Sequence, residues 1–293
     1  MGHGKLRKFA ENETFRCLLQ PDASSVLAGT GRQLVLRDHP IKGRWNSQMF
    51  AKEQPIVLEL GCGKGDYTIA LAQRHPEINY IGVDIKGARL WTGAKYATEH
   101  ALPNVAFLRT RVEFIEAFFD VGEVSEIWLT FSDPQLSGSE NSRLSSPMFL
   151  ERYRKFMAPD GIVHLKTDSR FLHEYTMAVV RANGLEVLAC GTDIYKEGIV
   201  YEKEAASGVG QNFFDHFPGE KVLVREGKAA SLYDIASVTE VQTFYEKMFL
   251  QMGLPITYLA FRITHSGPFV APADFDSAFW RAAEGPRRSF GHQ

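Results

Sequence analysis

The chain has 293 residues, 44% of them hydrophobic and 23% charged, with 33 basic against 35 acidic side chains and a formal net charge of −2. This composition supports a sizeable core and excludes a disordered, collagenous or coiled-coil protein. A chain that grips nucleic acid over many phosphates carries a basic surplus, and this one shows none overall.

In chain order, a basic lead-in (1–54) precedes a stretch of alternating strand and helix patterns. Pro55 to Leu60 (PIVLEL) is a buried strand, followed by a glycine loop and a helix near Asp66 to Arg74. NYIGVDI, ending at Ile85, is a second strand, and a helix with Leu90, Trp91 and Tyr96 follows. VAFL at 105–108 and IWLTF at 127–131 are the third and fourth strands, with a helical run through Phe114, Ile115, Phe118 and Phe119 between them. Gly161 to Lys166 is a fifth, entered through a Pro159-Asp160-Gly161 turn signal. A helix, the strand Leu185 to Cys190 and a last strand, ITYLAFRI, complete the unit at Ile263. The alternation predicts a doubly wound, Rossmann-like α/β fold whose ligand loops lie at the carboxyl ends of the strands. Residues 197–237 break the rhythm and read as an insertion, and the Gly-, Pro-, Ala- and Arg-rich tail (264–293) is expected to pack loosely.

No apolar run approaches the roughly 20 residues of a membrane helix. The opening MGHGKLRKFAENE has no apolar stretch behind it, so neither a membrane span nor a secretory signal is expected. Cys17, Cys62 and Cys190 show no C-x-x-C spacing; reduced thiols in the cytoplasm and no metal site are the expectation. His75, His164 and His173 read as surface or packing residues.

Gly61, Gly63 and Gly65 follow the first strand in ELGCGKG. The dinucleotide fingerprint would need glycine where Asp66 stands, and the phosphate loop would need Ser or Thr after Lys64. The remaining G-x-G-x-G form suits a ligand without phosphates lying against the backbone. Asp84, at the end of the second strand, can accept both hydroxyls of an adenosine ribose. Glu59, two residues before the first glycine, can meet an ammonium group. S-adenosylmethionine fits this set. The fourth strand ends in Phe131-Ser132-Asp133-Pro134-Gln135, where a carboxylate at Asp133 can accept the N1–H and amino protons of guanine. Asp168, in LKTDSR, and Thr243 with Glu246, in QTFYEK, fall on the same rim.

Taken in order, KLRKFAE (5–11), VLELGCGKGDYTIALA (57–72), IGVDIKG (81–87), FSDPQ (131–135), TD (167–168) and TFYE (243–246) resemble the tRNA (guanine-N7)-methyltransferases of the TrmB type. The resemblance covers roughly residues 5–195 and 237–263. It implies a seven-stranded class I methyltransferase sheet, mostly parallel with an antiparallel last strand, in a domain spanning 55–263. It also implies methyl transfer from S-adenosylmethionine to N7 of a guanine in the tRNA variable loop. Carried residue by residue, Glu59, Gly61, Gly63, Gly65, Asp84 and Asp133 form the cofactor side, with Asp133 catalytic. Asp168 and Thr243, Phe244, Tyr245 and Glu246 form the substrate side.

Departures from the family pattern are informative. Ser132 replaces a proline, and Gln135 stands at a common tryptophan position. Arg111 occupies the place of an adenine-reading aspartate and so enters the cofactor-binding set. The loop LSGSENSRL, at a place usually crowded with Lys and Arg, keeps Arg143 as its single cation, which joins the substrate-binding set. Basic residues survive in the arm at Lys5, Arg7, Lys8 and Arg16. The alternatives are a methyltransferase-fold binding protein with weak or no turnover, or a methyltransferase for another substrate; monomer and homodimer are equally open.

Overall fold

The computed structural model describes residues 3–29, 35–201 and 235–284. Most of the 197–237 insertion therefore lies outside the described residues. The strands are β1 (Leu18–Leu19), β2 (Leu27–Ala28), β3 (Val35–Leu36), β4 (Ile56–Leu60), β5 (Asn79–Asp84), β6 (Val105–Arg109), β7 (Val124–Thr130), β8 (Met157–Thr167), β9 (Val187–Gly191), β10 (Val200–Tyr201) and β11 (Thr257–Arg262). The helices are α1 (His3–Asn12), α2 (Ala23–Val26), α3 (Trp45–Gln48), α4 (Asp66–Arg74), α5 (Gly87–Glu99), α6 (Pro147–Tyr153), α7 (Arg170–Ala182), α8 (Ile235–Glu240), α9 (Phe244–Gln251) and α10 (Ser277–Glu284).

One sheet runs in the order β1-β6-β5-β4-β7-β8-β11-β9-β10, and β2 pairs with β3 apart from it. The β6-β5-β4-β7-β8 block is parallel, while β11 runs antiparallel between β8 and β9. This is the doubly wound α/β sheet expected, with two short strands added at its edges. Every residue of β4 and β5 is buried, as continuous apolar runs at the centre of a two-sided sheet require.

Alternation sends the two sets of side chains to different layers. One face is apolar: Leu58, Leu60, Ile81, Val83, Ile127, Leu129, Val163 and Leu165 join one core. The other carries Val57, Tyr80, Phe107, Trp128 and Tyr258. Glu59, Glu126, Thr130, His164 and Lys166 fall in the same alternation and are buried. There His164 stacks on Trp128 at 4.1 Å, and its ring nitrogens lie 2.8 Å from Tyr258 Oη and 3.0 Å from Glu126 Oε2. His173 is buried too, which pulls its pKa down to about 3.

Two local expectations are revised. Pro159-Asp160-Gly161 does not interrupt the fifth strand. The register passes from Val124 opposite Met157 to Glu126 opposite Ile162, so the turn signal becomes a wide bulge inside β8. Nor does the described part of the tail, up to Glu284, pack loosely. Asn183 exchanges hydrogen bonds with the Val270 backbone at 2.8 and 2.9 Å, Phe269 N–H donates to Glu151 at 2.7 Å, and α10 lies on α7.

The basic arm is docked rather than free. Asn12 Nδ2 donates to Gly87 O at 2.9 Å, and the Trp91 indole N–H donates to Glu11 at 2.7 Å. The Lys8 and Lys95 ammonium groups lie 4.4 and 5.0 Å from the Trp91 ring.

Candidate functional site

At the carboxyl end of β4 the chain turns sharply. Gly61, Gly63 and Gly65 adopt φ of +78°, +58° and +79°, a region that side-chain-bearing residues rarely occupy. The three differ in what surrounds them. A Cβ on Gly61 or Gly63 would meet nothing within 4 Å, so backbone there is open to a ligand. A Cβ on Gly65 would lie 2.6 Å from the Phe107 ring, so packing also requires glycine here. Gly82 and Gly93 close on the same ring, which the sequence motif alone does not reveal.

Asp84 fastens this loop. Its Oδ2 accepts the Gly63 N–H at 3.0 Å and its Oδ1 the Lys86 N–H at 2.7 Å. A carboxylate has about four acceptor positions, so two engaged lone pairs leave capacity for further donors. Glu59 is buried at the junction of three elements. It accepts the Thr68 N–H at 2.8 Å from the first turn of α4 and the hydroxyls of Thr68 and of Thr130, the last residue of β7. Burial raises its pKa to about 7, against the lowering effect of the threonine bonds.

An open crevice lies over this end of the sheet. Its wall contains Glu59, Gly61, Gly63, Thr130 and Phe131; Thr243, Phe244 and Tyr245 form the facing lip. Lys64, Asp66, Tyr67 and Arg89 also line it. Sequence reasoning passed over Lys64, Tyr67, Thr130 and Arg89 as site residues. Lys64 and Tyr67 were visible inside the glycine motif, whereas Arg89 arrives only because α5 starts beside the loop.

The lip is built on a helix start. Thr243 Oγ1 accepts the Glu246 N–H at 3.2 Å and caps α9, leaving Phe244 62% and Tyr245 42% exposed. Glu246 itself does not face the crevice. It is fully buried, 2.7 Å from Lys166 Nζ, and accepts the Tyr195 hydroxyl at 2.7 Å. In place of the expected substrate contact it forms a tether from α9 to β8, because the buried carboxylate takes the Lys166 ammonium as its counter-charge.

Asp133 stands exposed beyond β7, with Oδ1 accepting the Gln135 N–H at 2.8 Å. Phe131 and Gln135 on either side have φ of +50° and +53°. Asp168 follows β8 half-buried, just before Ser169, whose hydroxyl accepts the Leu172 N–H and caps α7. Asp84, Asp133 and Asp168 belong to the same strand-end rim but not to the crevice lining.

Arg111 is exposed, pairs with Glu113 at 3.2 Å and lies over Phe114; like Asp84, Asp133 and Asp168 it stands outside the crevice lining. Arg143 is only 4% exposed, with its guanidinium 4.8 and 4.4 Å from the Phe171 and Tyr175 rings. It presents no charge to an RNA backbone, because two aromatic faces enclose it. Among the described residues no group of three or more His, Cys, Asp or Glu is placed to hold a metal, and no helix is long and apolar enough to cross a membrane.

A family of putative methyltransferases matches residues 53–216. The tRNA (guanine-N(7)-)-methyltransferase of Christiangramia forsetii is 43% identical over 260 residues, covering 88% of this chain and 97% of its own length. That of Bacteroides thetaiotaomicron is 40% identical over 272 residues, covering 93% and 90%. That of Cytophaga hutchinsonii is 35% identical over 264 residues, covering 89% and 98%. With such identity along nearly its whole length, the chain belongs to the tRNA (guanine-N7)-methyltransferase family.

Proposed function

We propose that this chain transfers a methyl group from S-adenosylmethionine to N7 of a guanine in tRNA, in the cytoplasm, with residues 55–263 as the catalytic unit. The observation that carries this reading is the crevice, which joins an open glycine backbone to the strand end before Asp133 under an exposed aromatic lip.

The residues present fit the methyl donor. Open backbone at Gly61 and Gly63 suits a ligand lying against the main chain, and the free acceptor capacity of Asp84 suits a ribose. Glu59, on the crevice wall, would face the ammonium of the methionine portion. When bound, the donor supplies a sulfonium methyl group to an in-plane ring nitrogen. The protein then has mainly to hold the reacting atoms in line at about 3–3.5 Å. Asp133 accepts the guanine N1–H and amino protons and offsets the positive charge that develops on the ring. Phe244 and Tyr245 offer an aromatic surface on which an unstacked base can rest, with Asp168 and Thr243 beside it. Cations for the RNA backbone come from exposed Lys5 and Arg7 on α1 and from Lys64, since the loop after Asp133 offers none.

That cation-poor loop favours one second reading, a chain that binds tRNA or the donor with weak turnover. Incubation with labelled donor and unmodified tRNA transcript at low salt, followed by mapping of N7-methylguanine, separates the two. Label at N7 is the expected result; folded protein that binds the donor but leaves tRNA unlabelled supports the second reading. Asp133→Ala is expected to abolish labelling with donor affinity retained, and an equal loss of donor affinity would move Asp133 to the cofactor side.

A further inference from the structure

We propose that Arg143 is a positioning residue for the turn that presents Asp133, and that the C-terminal segment 275–284 forms the outer wall of its clamp. The inference rests on the reading of Asp133 as the residue that orients guanine.

The turn needs holding. Phe131 and Gln135 bracket Ser132-Asp133-Pro134, and both take left-handed φ although neither is glycine. Such conformations are disfavoured for residues with a Cβ and persist where surrounding contacts over-determine them. The Asp133–Gln135 hydrogen bond is local and exposed, so it competes with water.

Arg143 supplies the contact from below. Its Nε–H donates to Pro134 O at 3.2 Å, inside buried surroundings. The guanidinium cannot drift away from that carbonyl, because the Tyr175 and Phe171 rings enclose it at 4.4 and 4.8 Å. A planar, always-charged fork suits this place in a way that the point charge of lysine does not. The Tyr175 hydroxyl then donates to Glu140 at 2.8 Å, tying the same ring to the far part of the acceptor loop.

The ring pair is itself fixed from outside by the tail. Phe275 meets Phe171 and Tyr175 edge-on at 5.5 and 5.4 Å. The Glu284 carboxylate accepts the Phe171 N–H at 2.8 Å, satisfying a first-turn donor of α7 where negative charge is favoured. A continuous set of contacts therefore runs from Phe275 and Glu284 through Phe171 and Tyr175 to Arg143, and from there to Pro134, next to Asp133. The tail, expected from its composition to pack loosely, ends up bracing the turn at Asp133.

The test measures single-turnover methyl transfer to unmodified tRNA transcript with saturating S-adenosylmethionine, on full-length Arg143→Met, Arg143→Lys, Phe275→Ala and Asp133→Ala. Donor affinity by calorimetry, tRNA KM with its salt dependence, and the thermal midpoint are measured on each. For Arg143→Met the transfer rate is expected to fall about tenfold or more, as misplacement of a reacting group by an ångström does. Donor affinity and tRNA KM should stay within about twofold, the pattern of an interaction felt in the transition state. Arg143→Lys should not restore the rate, and Phe275→Ala should lower it by a smaller factor in the same direction.

A wild-type rate in Arg143→Met overturns the proposal. So does a loss confined to tRNA KM with a shallower salt slope and rescue by lysine, which would mark an RNA-binding cation. A wild-type rate in Phe275→Ala removes the tail from the clamp, and that variant decides the matter if the Arg143 variants do not fold. Asp133→Ala separates the two levels: if it is inactive while Arg143→Met is fully active, only the clamp fails. If Asp133→Ala is itself fully active, the assignment of Asp133 fails and the clamp loses its purpose with it.

Discussion

The Lys166 ammonium on β8 lies 2.7 Å from the Glu246 carboxylate on α9, and neither side chain reaches solvent. Lys166 also donates to Val241 O at 3.0 Å, so one buried cation holds both the approach to the aromatic lip and its first helical turn. Burial pulls the Lys166 pKa down to about 8, which leaves the ammonium protonated at neutral pH. Removing one member of such a pair strands the other charge and costs about 3–5 kcal/mol, whereas replacing both with apolar groups is far milder. Lys166→Met is therefore expected to destabilise strongly, and Lys166→Met with Glu246→Leu to recover most of the loss, in urea unfolding. Equal losses in the single and double variants would show that the pair is not what holds the lip.

Glu59 makes stability depend on pH in a defined direction. Its pKa rises from 4.5 to about 7 on folding, so between those values the folded state holds a proton that the unfolded chain has released. The contribution of this group is therefore fully present at pH below about 4.5 and is lost as pH rises to about 7. Glu59→Gln should flatten that part of the stability curve in thermal melts without donor. A slope unchanged from wild type would place the titration elsewhere.

Gly61 and Gly65 look alike in the motif and should respond differently. Gly65→Ala meets both the left-handed φ and a ring carbon at 2.6 Å, with the overpacking part alone costing about 1–3 kcal/mol. Gly61→Ala meets only the conformational cost, about 1–2 kcal/mol, because its Cβ points into open space. Donor calorimetry and unfolding together should show Gly65→Ala losing mainly stability and Gly61→Ala losing donor affinity beyond its stability loss. The reverse pattern would contradict the separate roles.

Ser132 has a buried hydroxyl with no hydrogen-bond partner among the described residues. An unsatisfied buried hydroxyl is a cost, so Ser132→Ala is expected to raise stability by about 1 kcal/mol with methyl transfer retained. A marked loss of transfer without loss of stability would instead give that hydroxyl a role toward the substrate.

The strand–helix order, the glycine turn and the buried central strands were legible along the chain, because they depend on local periodicity and on residues with special backbone freedom; the antiparallel direction of the last strand came only from the resemblance. The strand-end placement of Glu59, Asp84 and Asp133 was legible for the same reason, since each sits at or just beyond the end of a strand. Side-chain partnership was not legible. Arg143 read as a free cation because its neighbours in sequence are Ser, Gly, Asn and Glu, yet its spatial neighbours are Phe171 and Tyr175. Glu246 read as a rim acid because of its motif, but a lysine 80 positions earlier claims it.

A net charge of −2 counts every ionisable group alike, although Lys166 and Arg143 are buried and contribute little to the field an RNA would meet. By itself the amino-acid sequence determined which backbone turns are possible, which strands are central and which acids stand at the rim. Only the tertiary structure decided which charges face solvent, which glycine serves packing and where the tail packs on α7. The physical reason is that burial and pairing are properties of residues far apart in the chain, set by the packing of α7, α9 and the tail against the sheet.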